Sequence, residues 1–175
     1  MIRYGLILLI ICFCASLVLS VTYKFTHNRI EAQSTSEEKD ALYKIYPEAS
    51  DFGTEKLQEK TYYIVKKDNK ALGYVIKAET QGYSSVITML VGFNPKGEIK
   101  GIEILSQTET PGLGAKISEV LSGESKPWFL KQFEGKQAKD LDLKNIQAIT
   151  GATISSRAVL DGVKKSVSDF LTQIK

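Results

Sequence analysis

Cysteine and histidine are nearly missing from this chain. Both cysteines, Cys12 and Cys14, lie inside an apolar N-terminal run, and the single histidine, His27, stands beside it. Residues 28–175 therefore hold no disulfide framework, no Cys/His zinc site, no Cys–His nucleophile pair and no Ser–His–Asp triad. Any redox chemistry there must come from a bound cofactor. An excess of one charge is also lacking: 23 Lys and Arg against 20 Asp and Glu leave +3. The basic residues are scattered, with no arginine-rich face and no aromatic–basic stripe, so nucleic acid is not an expected partner. A strand–helix Gly-x-Gly-x-x-Gly fingerprint is absent, as is a carboxylate pair at recognisable acid–base spacing. Those absences favour a carrier over an enzyme with its own substrate pocket.

Long uncharged runs are confined to the beginning. Residues 5–21 are 17 positions without a charge, rich in Leu, Ile, Val and Phe. Tyr4 and Tyr23 flank the run as interface anchors, and Arg3 and Lys24 close it. With its flanks it reaches the ~20 residues that cross a bilayer. The apolar core is longer than that of a cleaved signal, and Cys14-Ala15-Ser16 lies within it rather than after it, so an uncleaved anchor over 1–24 is expected. Arg3 on one side competes with Lys24, His27 and Arg29 on the other, so the charge count does not orient the span. Cys12 and Cys14 are two apart and point to different helix faces, which suits packing better than metal binding.

The length of 175 residues suffices for this anchor and one compact domain. Residues 25–58 are expected to form a juxtamembrane linker with a short amphipathic helix. Thr35 and Glu38 resemble a capping box. Ala41, Leu42, Ile45 and Tyr46 recur at helical spacing, and Pro47 stops them. Four strands are predicted over 61–67, 72–79, 83–93 and 98–105, with turn signals at Asp68-Asn69-Lys70 and Asn94-Pro95-Lys96-Gly97. Short turns between them imply an antiparallel meander. A helical pattern follows over 113–121, then a short helical or turn element at 126–130. Trp128, Phe129 and Phe133 are assigned to the core. Residues 141–149 are a candidate further strand. Val159, Val163, Val167, Phe170, Leu171 and Ile174 follow the period of a final helix. The fold class is α+β, an antiparallel sheet with packed helices behind one N-terminal transmembrane helix.

Two short blocks carry the chemistry. The first is Gln147-Ala148-Ile149-Thr150-Gly151-Ala152-Thr153, a small-residue turn that runs straight into the final helix. Gly151 permits unusual dihedrals, and Ala152 leaves space. The amides of Ile154, Ser155 and Ser156 would open the helix and suit a phosphate, with the Ser155 and Ser156 hydroxyls and Arg157 nearby. A plain N-cap is the bland account of the same residues. The second block is Glu109-Thr110-Pro111-Gly112-Leu113-Gly114-Ala115-Lys116-Ile117, which by itself reads as a strand-to-helix turn.

Together the blocks resemble the FMN-binding domain family. Thr150-Gly151-Ala152-Thr153 is similar to the Ser/Thr-Gly-Ala-Thr motif of the G-type component of Rnf electron transport complexes, and Glu109 to Gly114 to the family's E-T-P-G-L-G segment. The C-type component of the sodium-translocating NADH:quinone reductase shares the domain. The resemblance covers roughly residues 31–175 and the single span. Gln147 stands where the family motif usually has Asp.

The resemblance implies an FMN-binding domain over 59–175, with FMN joined through its phosphate to Thr153 by a separate flavin transferase. It implies cofactor contacts from Glu109, Thr110, Gly112, Leu113, Gly114, Thr150, Gly151, Ala152, Ile154 and Ser155. The glycines of the second block would let backbone approach the flavin ring, Leu113 would offer an apolar face, and Glu109 and Thr110 polar contacts. No metal and no catalytic side chain are expected. The chain would be a single-pass protein of the cell membrane with its domain on the extracytoplasmic side. It would relay electrons beside the other membrane subunits of an Rnf-type ion-translocating ferredoxin:NAD oxidoreductase. The alternatives are the C-type component of the quinone reductase, a non-redox anchored domain with a degenerate motif, and a flavin reductase with its own small substrate.

Overall fold

The computed structural model describes residues 2–57, 60–68 and 70–174. The chain divides into two compact units, residues 1–39 and 40–175. Helix α1 (Ile2–Ile45) supplies residues 2–39 of the first unit. Its stretch Arg3–His27 is long and apolar enough to cross a membrane. At ~1.5 Å per residue it exceeds the ~30 Å hydrocarbon thickness. Two hydroxyls in it are satisfied within the helix: Ser16 Oγ donates to the Cys12 carbonyl at 2.8 Å and Thr22 Oγ1 to the Val18 carbonyl at 2.9 Å. Such back-bonding makes hydroxyls tolerable in lipid. The expected separate amphipathic helix does not begin at Thr35, because α1 is continuous there. Residues 24–46 contain neither Gly nor Pro, so no breaker exists before Pro47.

In the second unit five strands form one antiparallel meander, in the order β1 (Asp51–Leu57), β2 (Lys60–Lys67), β3 (Lys70–Gln81), β4 (Val86–Phe93) and β5 (Ile99–Ser106). The four expected strands are there. β1 lies within the expected linker; its charged, mixed sequence has no clear period and suits a sheet edge. Period 2 gives the strands two faces, and both are covered.

On one face Ala41, Leu42, Ile45 and Tyr46 pack on Val65, Val75 and Leu90. Glycines make this close approach possible. Gly92 pairs directly with Gly101 across β4 and β5, and a Cβ on Gly92 would enter Ile45 and Tyr46. A Cβ on Gly73 would likewise enter the Tyr46 hydroxyl and the Phe93 carbonyl. The buried Tyr46 hydroxyl has no hydrogen-bond partner among the described residues. Its burial, then the charges of Glu48 and Glu98, push its pKa far up.

On the other face lies α3 (Thr153–Ile174), with Val159, Val163, Val167 and Phe170 turned to the sheet. Each such burial stabilises by about 1.5–3 kcal/mol. Phe170 meets Tyr62 edge-on at 5.0 Å and Phe93 at 5.5 Å. The short α2 (Trp128–Lys131) brings Phe129 into this core beside Phe133, while Trp128 is half-buried.

Two expected elements are replaced by irregular chain. The helical pattern over 113–121 shrinks to a 3-10 turn, Gly114–Ser118. Only Ile117 of its large apolar residues is buried, and Leu113, Val120 and Leu121 are exposed, so the pattern has no core face to serve. The candidate strand at 141–149 is a set of turns. Leu141, Ile146 and Ile149 are buried, but local bonds satisfy the backbone. The Asp142 carboxylate accepts from Lys144 N–H, and the Asn145 amide donates to the Asp140 carbonyl. Asp and Asn compete with a ladder in this way. Finally, β4 begins at Val86 rather than Tyr83, because residues 82–85 form the β3–β4 turn.

Candidate functional site

The two motif blocks converge at one end of the sheet. Gly151 has φ +79° and a Cβ there would stand 3.1 Å from Leu113 Cδ2. The turn that enters α3 is held by one buried side chain, Ser156. Its hydroxyl donates to the Ala152 carbonyl at 2.9 Å and accepts from the Ile149 N–H at 3.0 Å. The Ser156 N–H also bonds the Ala152 carbonyl, at 3.0 Å, which makes Ala152 the residue that caps α3. Thr153 is thus the first helical residue. Its side chain is exposed. The N–H groups of Thr153, Ile154 and Ser155 have no intrahelical acceptor and lie at the positive end of the helix dipole.

The second block is built around Glu109, which is 4% exposed. Its Oε1 accepts from Ser84 N–H at 2.9 Å, Ser85 N–H at 2.9 Å and Ser85 Oγ at 3.2 Å. Its Oε2 accepts from Tyr83 N–H at 3.2 Å and from Ser155 Oγ at 2.5 Å. Five donors on a carboxylate with about four lone-pair sites leave no acceptor capacity for a ligand. Burial works to raise its pKa. The Ser155 hydroxyl and the amides of Ser84, Ser85 and Tyr83 outweigh that and hold it below the ordinary carboxylate value. Gly82 and Gly114 wall the carboxylate: a Cβ on either would stand 2.6–2.7 Å from a carboxylate oxygen.

The residues singled out from sequence therefore separate into two groups. Thr110, Gly112, Leu113, Thr150, Gly151, Thr153 and Ile154 are exposed on one continuous pair of loops and the helix start. Glu109, Gly114, Ala152 and Ser155 are buried beneath them and form the frame. Glu109 and Gly114, expected at the flavin, lie beneath the exposed residues with protein atoms packed against both. Ser156, expected to offer its amide and hydroxyl, uses both within the turn. Gly112, at φ +75° with no atom within 4 Å of its Cβ position, keeps open space above it.

Sequence inspection missed Tyr83, Ser84 and Ser85 as partners of Glu109, and Gln132. The Gln132 side chain accepts from the Gln147 N–H at 2.8 Å and donates to its carbonyl at 3.1 Å. This amide clamp holds the irregular entry to the first motif while Gln147 itself is exposed. The run Gly82-Tyr83-Ser84-Ser85 carries the glycine and serines of a turn, but nothing in it points to residue 109.

An exposed hydroxyl at the first helical position, three free amides, apolar Leu113 and Ile154, and open space over Gly112 fit a phosphate-bearing aromatic cofactor. Among the described residues no group of His, Cys, Asp and Glu is placed to hold a metal ion.

Comparison with known proteins places the chain in a family. Residues 82–168 match the FMN-binding domain family, and residues 1–45 match the RnfG N-terminal region. The chain is 35% identical to the G-type component of the proton-translocating ferredoxin:NAD(+) oxidoreductase complex of Clostridium ljungdahlii, over 94% of this chain and 89% of that one. It is 34% identical to the G-type component of the Na(+)-translocating complex of Acetobacterium woodii, over 96% and 90%. The solved C-type component of the Na(+)-translocating NADH-quinone reductase of Parabacteroides distasonis shares the fold, with a TM-score of 0.51 at 22% identity. That likeness covers 66% of this chain and 63% of the solved one. The sequence, the two matched regions and the relatives along nearly its whole length together make this chain a member of the RnfG family, the G-type components of ion-translocating ferredoxin:NAD(+) oxidoreductase (Rnf) complexes.

Proposed function

We propose that this chain is the membrane-anchored electron carrier of an Rnf-type complex, with FMN joined as a phosphoester to Thr153. The observation that carries this reading is the exposed Thr153 at the first position of α3, beside the first-turn amides and two residues after Gly151, which stands against Leu113. Bound FMN would supply the redox step, accepting electrons from one neighbouring protein of the complex and passing them to another. The chain's residues would hold it. The N–H groups of Thr153, Ile154 and Ser155 would take the phosphate oxygens. Arg157, exposed one turn on, would offset charge. Leu113 and Ile154 would shield an apolar ring, and Gly112 would let it lie close.

In maturation Thr153 Oγ would bond the phosphorus of an FMN donor activated as a phosphoanhydride. The P–O bond of that anhydride breaks, the nucleotide leaves and the hydroxyl proton passes to a base of the flavin transferase. A covalent tether keeps the carrier at high effective concentration through every redox state. The helix Arg3–His27 would anchor the domain on the extracytoplasmic side, among the other membrane subunits. Relatives named for either a proton or a sodium ion share this component.

The test is ultraviolet fluorescence of the band on a denaturing gel, from cells that also express the transferase. A fluorescent wild-type band and a dark Thr153→Ala band support the reading. A dark wild-type band would sink it and leave loose flavin binding or a structural domain.

A further inference from the structure

We propose that Glu109 is a positioning residue. Its buried carboxylate ties the β3–β4 turn to Ser155 and so fixes the first turn of α3, where the attachment threonine stands. This role rests on Thr153 being the attachment residue.

Three observations carry it. First, the carboxylate joins segments distant in sequence: residues 83–85, residue 109 itself and Ser155, 46 positions on. Among the described residues the Ser155–Glu109 bond is the one side-chain hydrogen bond between the first turn of α3 and that end of the sheet. Second, the stretch before the buried Ile117 is thinly packed: Thr108, Thr110, Pro111, Gly112 and Leu113 are exposed, and polar bonds centred on the charged Glu109 hold it. The loop's other bonds stay within it or reach the β3–β4 turn, not α3: the Thr110 carbonyl accepts from Leu113 and Ala115 N–H, the Gln107 side chain accepts from Glu109 N–H at 2.7 Å, Thr108 N–H donates to Ser85 Oγ at 2.9 Å, and the Thr110 and Ser84 hydroxyls lie 3.4 Å apart. Third, the space is shaped for the carboxylate. Gly82 and Gly114 leave no room for any side chain of their own beside it. The negative charge also sits under the positive end of α3, where it is favoured.

Ser156 performs a different task. It locks residues 149–152 to the helix and would hold that turn wherever the helix pointed. Glu109 sets where the helix start stands relative to the Leu113 loop. Losing it should leave α3 helical and displace its first turn, so that Thr153 meets the transferase in the wrong attitude.

The test uses the full chain in detergent, first without flavin. Hydrogen exchange is read at the amides of Ser156, Arg157 and Ala158, whose acceptors are first-turn carbonyls. Glu109→Gln turns one acceptor oxygen into a donor facing N–H groups. Ser155→Ala removes only the link to α3 and keeps the bonds to residues 83–85. We expect each to speed exchange there at least tenfold, and the double variant to add nothing further. In loading assays with the transferase, both variants should lower the turnover rate about tenfold at unchanged KM. Wild-type exchange or wild-type turnover in folded Ser155→Ala protein overturns the proposal, and this variant carries the test if Glu109→Gln does not fold. A wild-type chain that takes no flavin would overturn the attachment reading alone, since the exchange result stands without flavin.

Discussion

The block Pro111-Gly112-Leu113-Gly114 contains two glycines that serve opposite purposes, and alanine distinguishes them. At Gly112 φ is +75° and the Cβ position is empty. Gly112→Ala therefore meets only the left-handed backbone penalty, about 1–2 kcal/mol. Gly114 is buried, and its φ is not positive. Its new methyl would lie 2.6 Å from Ser155 Oγ, 2.7 Å from Glu109 Oε2 and 2.9 Å from Glu109 Cβ. Those atoms cannot swing away, because five donors hold the carboxylate. Displacing a hydrogen bond to a charged group costs about 1.5–3 kcal/mol, and overpacking adds about 1–3 kcal/mol. The sum for Gly114→Ala is about 2.5–6 kcal/mol. At roughly 3–5 °C per kcal/mol for a domain of this size, Gly112→Ala should lower Tm by about 3–10 °C and Gly114→Ala by about 8–30 °C, with the second the larger loss. The assay is thermal unfolding of the full chain in detergent, followed by the fluorescence of Trp128, the single tryptophan, which is half-buried beside Phe129. Gly112→Asn should cost less than Gly112→Ala, since Asn tolerates the left-handed region. If Gly114→Ala proves as mild as Gly112→Ala, the buried frame around Glu109 is wrong.

Stability should fall in acid with a limb that belongs to Glu109. Its folded-state pKa lies below the 4.5 of a free side chain, so its contribution is full above about 4.5 and is lost as pH falls through the folded value. Glu103 has the opposite sign. Burial raises its pKa against the pull of Lys44 and Lys126, so its contribution is full below 4.5 and lost as pH rises through the folded value. Urea midpoints measured from about pH 3 to 7 should show a flatter acid limb in Glu109→Gln and a flatter upper limb in Glu103→Gln; an unchanged acid limb in the first would contradict the assignment. Tyr46→Phe should raise stability by about 1 kcal/mol, because it deletes a buried hydroxyl without a partner. A loss of stability in the same melting assay would reveal a partner for that hydroxyl.

Much of the fold was legible because periodicity reports on burial. The uncharged run at residues 5–21 announced a span, and the stripe Val159, Val163, Val167 and Phe170 announced α3. The turn Asn94-Pro95-Lys96-Gly97 was equally plain, with Gly97 at φ +81° and Asn94 Oδ1 accepting from Lys96 and Glu98 N–H. Failures came where pattern and packing part. Residues 113–121 have a helical rhythm but no surface to bury it against. Residues 141–149 have strand-like apolar spacing, yet Asp142 and Asn145 bond locally. β1 has no pattern because an edge strand needs little apolar surface.

At the site, sequence alone determined the chemistry on offer. A threonine and three free amides at a helix start, next to a glycine-rich loop, suit a phosphate whatever surrounds them, since those properties are local. The lack of Cys and His excluded the other redox and nucleophilic options beyond the span for the same reason. Only the tertiary structure decided which residues face outward and which support them. Glu109 and Gly114 sit in the same short motif as Thr110, Gly112 and Leu113, but the first two are buried and the others exposed. That division depends on Ser155 and on the turn at residues 83–85. They reach Glu109 through the folding of the sheet and the docking of α3, and no local rule of spacing encodes contacts between positions so far apart in the chain.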